Sequence, residues 1–155
     1  MFTRNDTISF RTKNRFYVLD RNGNEVKELS FKIDSGEINN PVSIFDYEKN
    51  RNYRFVFTND NTIKMFDSRG KIVRGFNPDV FDSSIINSPN HIRIDGKDFI
   101  IVQLENNDLK ILDRRGRDRI KIDEKIQFSQ NPIFSYLKTF TTTDNQGNLI
   151  QIDMA

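Results

Sequence analysis

The sequence contains no cysteine and a single histidine among its 155 residues. Without thiols it forms neither a disulfide framework nor a thiolate metal site, and redox chemistry gives no reading of its compartment. A His-based metal centre or catalytic triad would have only His91 to work with. Its 7 glycines stand singly, so neither a phosphate-cradling Gly loop nor a nucleophile elbow is present. Charge of one sign is also missing. The 24 basic and 22 acidic residues are interspersed, giving a net +2 and no strong field to draw in nucleic acid or an anionic membrane. No run approaches the roughly 18 apolar residues of a membrane span, and the start, Met1-Phe2-Thr3-Arg4-Asn5-Asp6, has no basic segment followed by an apolar stretch. These absences predict no catalytic residues, no metal ligands, no cofactor, no nucleic-acid partner and no membrane insertion of this segment. Folding must rest on packing.

What the chain has is repetition. A short apolar run ending in Asp occurs four times: Phe16-Tyr17-Val18-Leu19-Asp20, Ile63-Lys64-Met65-Phe66-Asp67, Leu109-Lys110-Ile111-Leu112-Asp113 and Leu149-Ile150-Gln151-Ile152-Asp153. The Asp residues are 47, 46 and 40 positions apart. Such a period marks an array of equivalent supersecondary units that bury their apolar faces against one another. With hydrophobic residues at 35% the core must draw heavily on the 14 Phe, each of which buries a large area. Phe55, Phe57, Phe66 and Phe99 fall on alternating positions and are assigned to it.

Each Asp phrase follows another extended run across a polar turn, as in Tyr53 to Thr58, then Asn59-Asp60-Asn61, then Thr62 to Asp67, which reads as a β-hairpin. Three Asp phrases are followed by a Gly turn, at Gly23, Gly70 and Gly116, and then a further extended run. Pro41, Pro89 and Pro132 head another run 26, 24 and 21 residues before the next Asp, and proline, having no N–H for a ladder, suits a first strand residue. The unit is therefore a four-stranded antiparallel meander. Counting three, four, four and three strands gives about fourteen, in units of about 1–40, 41–88, 89–131 and 132–155. The fold class predicted is all-β: a β-propeller-like array of such blades in one domain, with incomplete terminal blades that point to a piece of a longer chain. No helix is needed.

The stretch from Pro89 to Asp153, with "IRIDGKDFIIVQ", "LKILDRRGR" and "FTTTDNQGNLIQID", resembles the repeat region of large propeller-bearing proteins of Bacteroidetes-type bacteria, and more loosely quinoprotein-type propeller repeats. That resemblance implies a fold and a cell-envelope or periplasmic setting. It rests on strand and turn residues, so it implies no catalytic or ligand residues.

The recurring Asp residues are read as turn caps, because Asp at the mouth of a Gly turn accepts backbone N–H groups two residues on. The 20–24 and 144–148 turns resemble calcium loops faintly, but the Gly comes too early and the equivalent turns replace the ligands with Ser, Lys and Arg. Arg114, Arg115, Arg117, Arg119 and Lys121 form the densest basic patch, interrupted by Asp113, Asp118 and Asp123, and are read as a solvated turn. His91, on a predicted inner strand, can line a central channel or hold a structural hydrogen bond.

With no reactive constellation, the sequence points to a non-catalytic scaffold or protein-interaction module, the alternative being a carbohydrate- or calcium-binding module of a larger envelope protein. The interaction surface is placed on the connections 33–40 and 77–88, with Phe76, Asp79, Phe81, His91 and Tyr136 as its residues. The partners expected are another protein, remaining blades of a parent chain, or a second copy joined through open blade edges.

Overall fold

A computed structural model describes residues 2–3, 7–12, 14–32, 38–129 and 131–153. Among them the chain is all-β, with fourteen strands in four small sheets. Sheet 1 holds β1 (Phe2–Thr3), β2 (Thr7–Arg11), β3 (Arg15–Leu19) and β4 (Phe31–Lys32). Sheet 2 holds β5 (Ser43–Phe45), β6 (Arg54–Asn59) and β7 (Thr62–Asp67). Sheet 3 holds β8 (Asn90–Ile94), β9 (Lys97–Gln103), β10 (Leu109–Leu112) and β11 (Asp118–Ile120). Sheet 4 holds β12 (Phe134–Tyr136), β13 (Thr139–Thr143) and β14 (Leu149–Ile152).

Within every sheet each strand pairs antiparallel with its neighbour in sequence, so all four are meanders. The total agrees with the sequence reading and its distribution does not: the sheets carry four, three, four and three strands. Sheet 1 gains the two-residue β1, paired with β2, where the sequence has no proline to announce a strand. In sheet 2 the run after Gly70 makes one bridge, Phe66 to Ile72, and turns at Val73 to Phe76, as sheet 1 does at Leu19 to Glu25 and Val26 to Leu29; sheet 1 then adds β4, and sheet 2 adds no fourth strand.

The turns repeat atom for atom. Oδ1 of Asp20 accepts the N–H groups of Asn22 and Asn24, that of Asp67 those of Arg69 and Lys71, and that of Asp113 those of Arg115 and Arg117. Asp144 does the same for Gln146 and Asn148, within the β13–β14 hairpin. Each carboxylate thus satisfies two backbone donors that the reversal leaves unpaired. The glycine in each turn sits near φ +80°, open to it without penalty. The β8–β9 and β12–β13 hairpins use two-residue loops with both residues left-handed: Asp95-Gly96 at φ 48° and 77°, and Leu137-Lys138 at 46° and 67°. Asp-Gly suits that loop; Leu-Lys does not.

Strand alternation sends side chains to both faces of each sheet, and the sheets stack in chain order on three apolar seams. Phe16, Val18 and Phe31 of sheet 1 meet Phe55, Phe57 and Phe66 of sheet 2, with ring centroids as close as 4.9 Å. Val56, Ile63 and Met65 of sheet 2 meet Ile100, Val102 and Leu112 of sheet 3. Ile101, Leu109 and Ile111 of sheet 3 meet Phe140 and Ile152 of sheet 4. Sheets 2 and 3 are therefore buried on both faces, which is why β6 and β9 read as continuous apolar runs. The four phenylalanines assigned to the core are buried there.

The connections lock each sheet to the next. Asn39, Ile86 and Ser129 each donate their N–H to the carbonyl of the residue near the end of the following sheet's second strand, at Thr58, Gln103 and Thr143 respectively. Residues 33–37 of the first connection lie outside the described residues.

Candidate functional site

The densest polar constellation lies on the face of sheet 3 that looks at sheet 2. Asp98, at the start of β9, is 4% exposed, and a carboxylate so placed is unfavourable unless it is paired. Three cations and donors converge on it. His91 Nε2 lies 2.8 Å from Oδ1, Arg93 Nη1 is 3.3 Å from the same oxygen, and Arg114 Nε bonds Oδ2. Burial opposes the Asp98 charge, and the hydrogen bonds from His91 and Arg114 outweigh it, holding the carboxyl below its usual range. Burial lowers His91 below its ordinary value, so its ring is neutral near pH 7 and its Nε2–H donates to the carboxylate.

The same groups reach back to sheet 2. Arg93 donates to the Tyr47 carbonyl at 2.8 Å, Arg114 pairs with Glu48, and the Arg114 guanidinium lies 4.4 Å over the Tyr47 ring. The His91 ring packs at 5.4 Å from Phe45 and edge-on at 4.8 Å from Tyr47, whose hydroxyl burial pushes far from ionisation. The cluster thus joins β8, β9, the turn after β10 and the segment after β5. Both Asp98 oxygens and the His91 Nε2 are committed to it, and this is a polar staple between two sheets.

Sequence reasoning found His91 here and missed its partners. Asp98 was the available signal: a carboxylate beside the Asp95-Gly96 turn that interrupts the apolar side of a strand otherwise buried on both faces. The sequence pattern assigns Arg114 to a solvated turn. Arg115, Arg117 and Arg119 are exposed as that reading requires, whereas Arg114 folds back onto Asp98, Glu48 and Tyr47.

The other predicted interaction residues divide. Phe76 and Phe81 are corrected: both are buried in the seam between sheets 2 and 3. The connection after sheet 2 folds back over that seam and lays both rings into it, held by the Phe76 N–H to Val73 carbonyl and Phe81 N–H to Asn61 carbonyl bonds, as the next connection lays Ile126 into the following seam through its N–H to the Asn107 carbonyl. Asp79 is exposed and, with Val80, Asp82, Lys110, Arg117 and Asp118, lines an open groove of about 470 Å³. Tyr136 is 60% exposed on the outer face of sheet 4, beside Phe134 at 63%. The five residues therefore do not form one site.

A wider groove, about 680 Å³, runs between the connection at Glu124 to Gln127 and β14, where sheet 4 has no fourth strand. In the loops that resemble calcium sites the ligand oxygens are already engaged: Oδ1 of Asp20 and Asp144 holds backbone N–H groups, and Oδ2 accepts from Asn24 and Asn148 Nδ2. Among the described residues no group of three or more His, Asp or Glu side chains is placed to hold a metal, and no helix is long and apolar enough to cross a membrane.

No family model matches the chain, and no curated protein matches it. Among solved structures it is similar to the crystal structure of the computationally designed Ika4 protein, with a TM-score of 0.65 over 99% of this chain and 88% of that one, at 12% identity. At that identity the likeness concerns the fold alone. It extends over all four sheets.

Proposed function

We propose that the chain is a non-catalytic scaffold or protein-interaction module built as a propeller-type row of meander sheets. The observation that carries this reading is where its unspent surface lies. The one histidine and its carboxylate are consumed in holding sheet 3 to sheet 2, while large apolar side chains stand uncovered on the outer faces of the first and last sheets, Ile8 and Phe10 on one and Phe134, Tyr136 and Leu149 on the other. Aromatic and aliphatic groups gathered on a flat face mark an association surface. The polar groove beside Asp79 offers a second, smaller rim.

Thermal unfolding with calcium and with a panel of soluble glycans tests the reading. A scaffold keeps its midpoint unchanged with either, and raises it with protein concentration if the outer faces associate. A rise of several degrees with one of these ligands would transfer the function to small-ligand binding, since ligand that binds only the folded state stabilises it by mass action.

A further inference from the structure

The repeat register makes the two outer faces the missing halves of one seam. Each seam inside the chain joins the forward face of one sheet to the backward face of the next. Counting back from the Asp that ends the third strand, the second and fourth residues point forward: Val18 and Phe16, Met65 and Ile63, Ile111 and Leu109, all buried against the following sheet. The equivalents in sheet 4 are Gln151 and Leu149, and Leu149 is 67% exposed where Leu109 is 1%. Backward positions behave likewise. The ladder registers align Ile8 with Phe55, Ile100 and Phe140, and Phe10 with Phe57 and Val102. In sheets 2 to 4 these residues are core, whereas Ile8 and Phe10 of sheet 1 are nearly half exposed.

Inner-strand contacts keep the same polarity. Ser43 Oγ donates to the Pro89 carbonyl, and Asn90 Nδ2, at the matching register, to the Ile133 carbonyl. The matching residue of sheet 4 is Phe134, so this face exchanges a donor for an apolar ring. The register places Thr139, Thr141, Thr143 and Gln151 beside Phe134, Tyr136 and Leu149, and none of these seven is charged. The face of sheet 1 offers Ile8, Phe10 stacked at 5.1 Å on Tyr17, and Arg15 over the same Tyr ring. An uncharged aromatic centre against aromatic rings and an Arg has the composition of a protein–protein interface.

We propose that a second copy of this chain covers both faces: the forward face of sheet 4 in one copy seats on the backward face of sheet 1 in the other, and the reverse contact closes the pair. This names the partner of the scaffold proposed above and rests on that reading. A head-to-tail contact ends either in a ring or in a filament. Closed rows of such sheets typically hold four to eight, which two copies fill.

Two single-face variants test it. Phe10→Lys blocks sheet 1 and Leu149→Lys blocks sheet 4; both positions are exposed, so the monomer should fold in each case, as circular dichroism would check. Sedimentation is expected to show the unaltered chain at twice its 18.3 kDa mass, each variant alone weakened because both of its contacts join an intact face to a blocked one, and an equimolar mixture restored to a one-contact pair by the two faces left intact. Three results would overturn the proposal: an unaltered chain that stays monomeric at every concentration, a variant that pairs with itself as tightly as the unaltered chain, or a mixture that gains nothing over its components. A glycan or calcium effect on melting would instead strike at the scaffold reading.

Discussion

Sheets 3 and 4 share their first three antiparallel strands and nearly the same second hairpin, yet one is core on both sides and the other on one. In sheet 3 the second strand reads Phe99-Ile100-Ile101-Val102, every residue buried. In sheet 4 the corresponding strand reads Thr139-Phe140-Thr141-Thr142-Thr143, with Phe140 fully buried against sheet 3 and Thr141 on the outer face. Threonine keeps the β-branched shape that suits a strand while presenting a hydroxyl. The two corresponding strands thus separate two requirements usually confounded in one residue: being a strand, and having something to pack against.

Register-matched substitutions sharpen this contrast most. Leu109 and Leu149 occupy the same place in their units, one enclosed and one open. Leu109→Ala is expected to lower the unfolding free energy by about 2–5 kcal/mol, through lost burial and the cavity left behind, and Leu149→Ala by no more than about 0.5 kcal/mol for an isolated chain. Chemical denaturation of the two variants at low concentration measures both, and equal losses would break the equivalence of the units.

The glycine turns make a second pair. Gly116 and Gly147 share φ values of 83° and 87°, so Ala at either meets the left-handed penalty of about 1–2 kcal/mol. A Cβ on Gly116 would also lie 2.6 Å from the Pro78 nitrogen, whereas one on Gly147 meets nothing within 4 Å. Gly116→Ala should therefore cost distinctly more than Gly147→Ala, read from denaturation midpoints. Similar costs would mean that the preceding connection is free to move aside.

Acid should weaken sheet 3 through its staple. His91 has its folded-state pKa below the ordinary 6.5, so between those values the unfolded chain binds more protons and stability falls as pH drops below about 6.5. Asp98 adds to the loss further down, where its own depressed carboxyl finally protonates. His91→Gln, which keeps an N–H donor and cannot titrate, should flatten the slope that sets in below about pH 6.5; an unchanged slope would assign acid sensitivity elsewhere.

A gain is expected from the smallest change. Leu137 and Lys138 hold the tight β12–β13 loop with both φ angles positive. Replacing them with Asn-Gly, which adopts that loop without strain, should add about 0.5–2 kcal/mol, whereas the same pair placed at Asp95-Gly96 should add little. Thermal melts of the two variants compare them directly.

The strands were legible wherever the pattern was periodic. The Asp phrases, the proline-led first strands of sheets 2 to 4 and the Gly turns all lie in the sequence as written, because each rests on local chemistry. What escaped depends on contacts distant in the chain. Phe76 and Phe81 sit in an aperiodic connection, and their burial is set by how that connection folds back over the seam between sheets 2 and 3, through the Phe81 N–H to Asn61 carbonyl bond among others. Asp98 and Arg114 are 16 residues apart, and their meeting is set by the pairing of β9 with β10. Likewise β1 and β4, at two residues each, are too short for any alternation to show.

The carboxylate-clipped turns bear on how this chain acquires its shape. Each clip closes within five consecutive residues and needs nothing from elsewhere, so hairpins bearing one can fasten on the microsecond scale of local events. The slow part of folding is then the docking of ready-made sheets. Since every seam joins only neighbours, that docking can begin at any of three places and spread along the row.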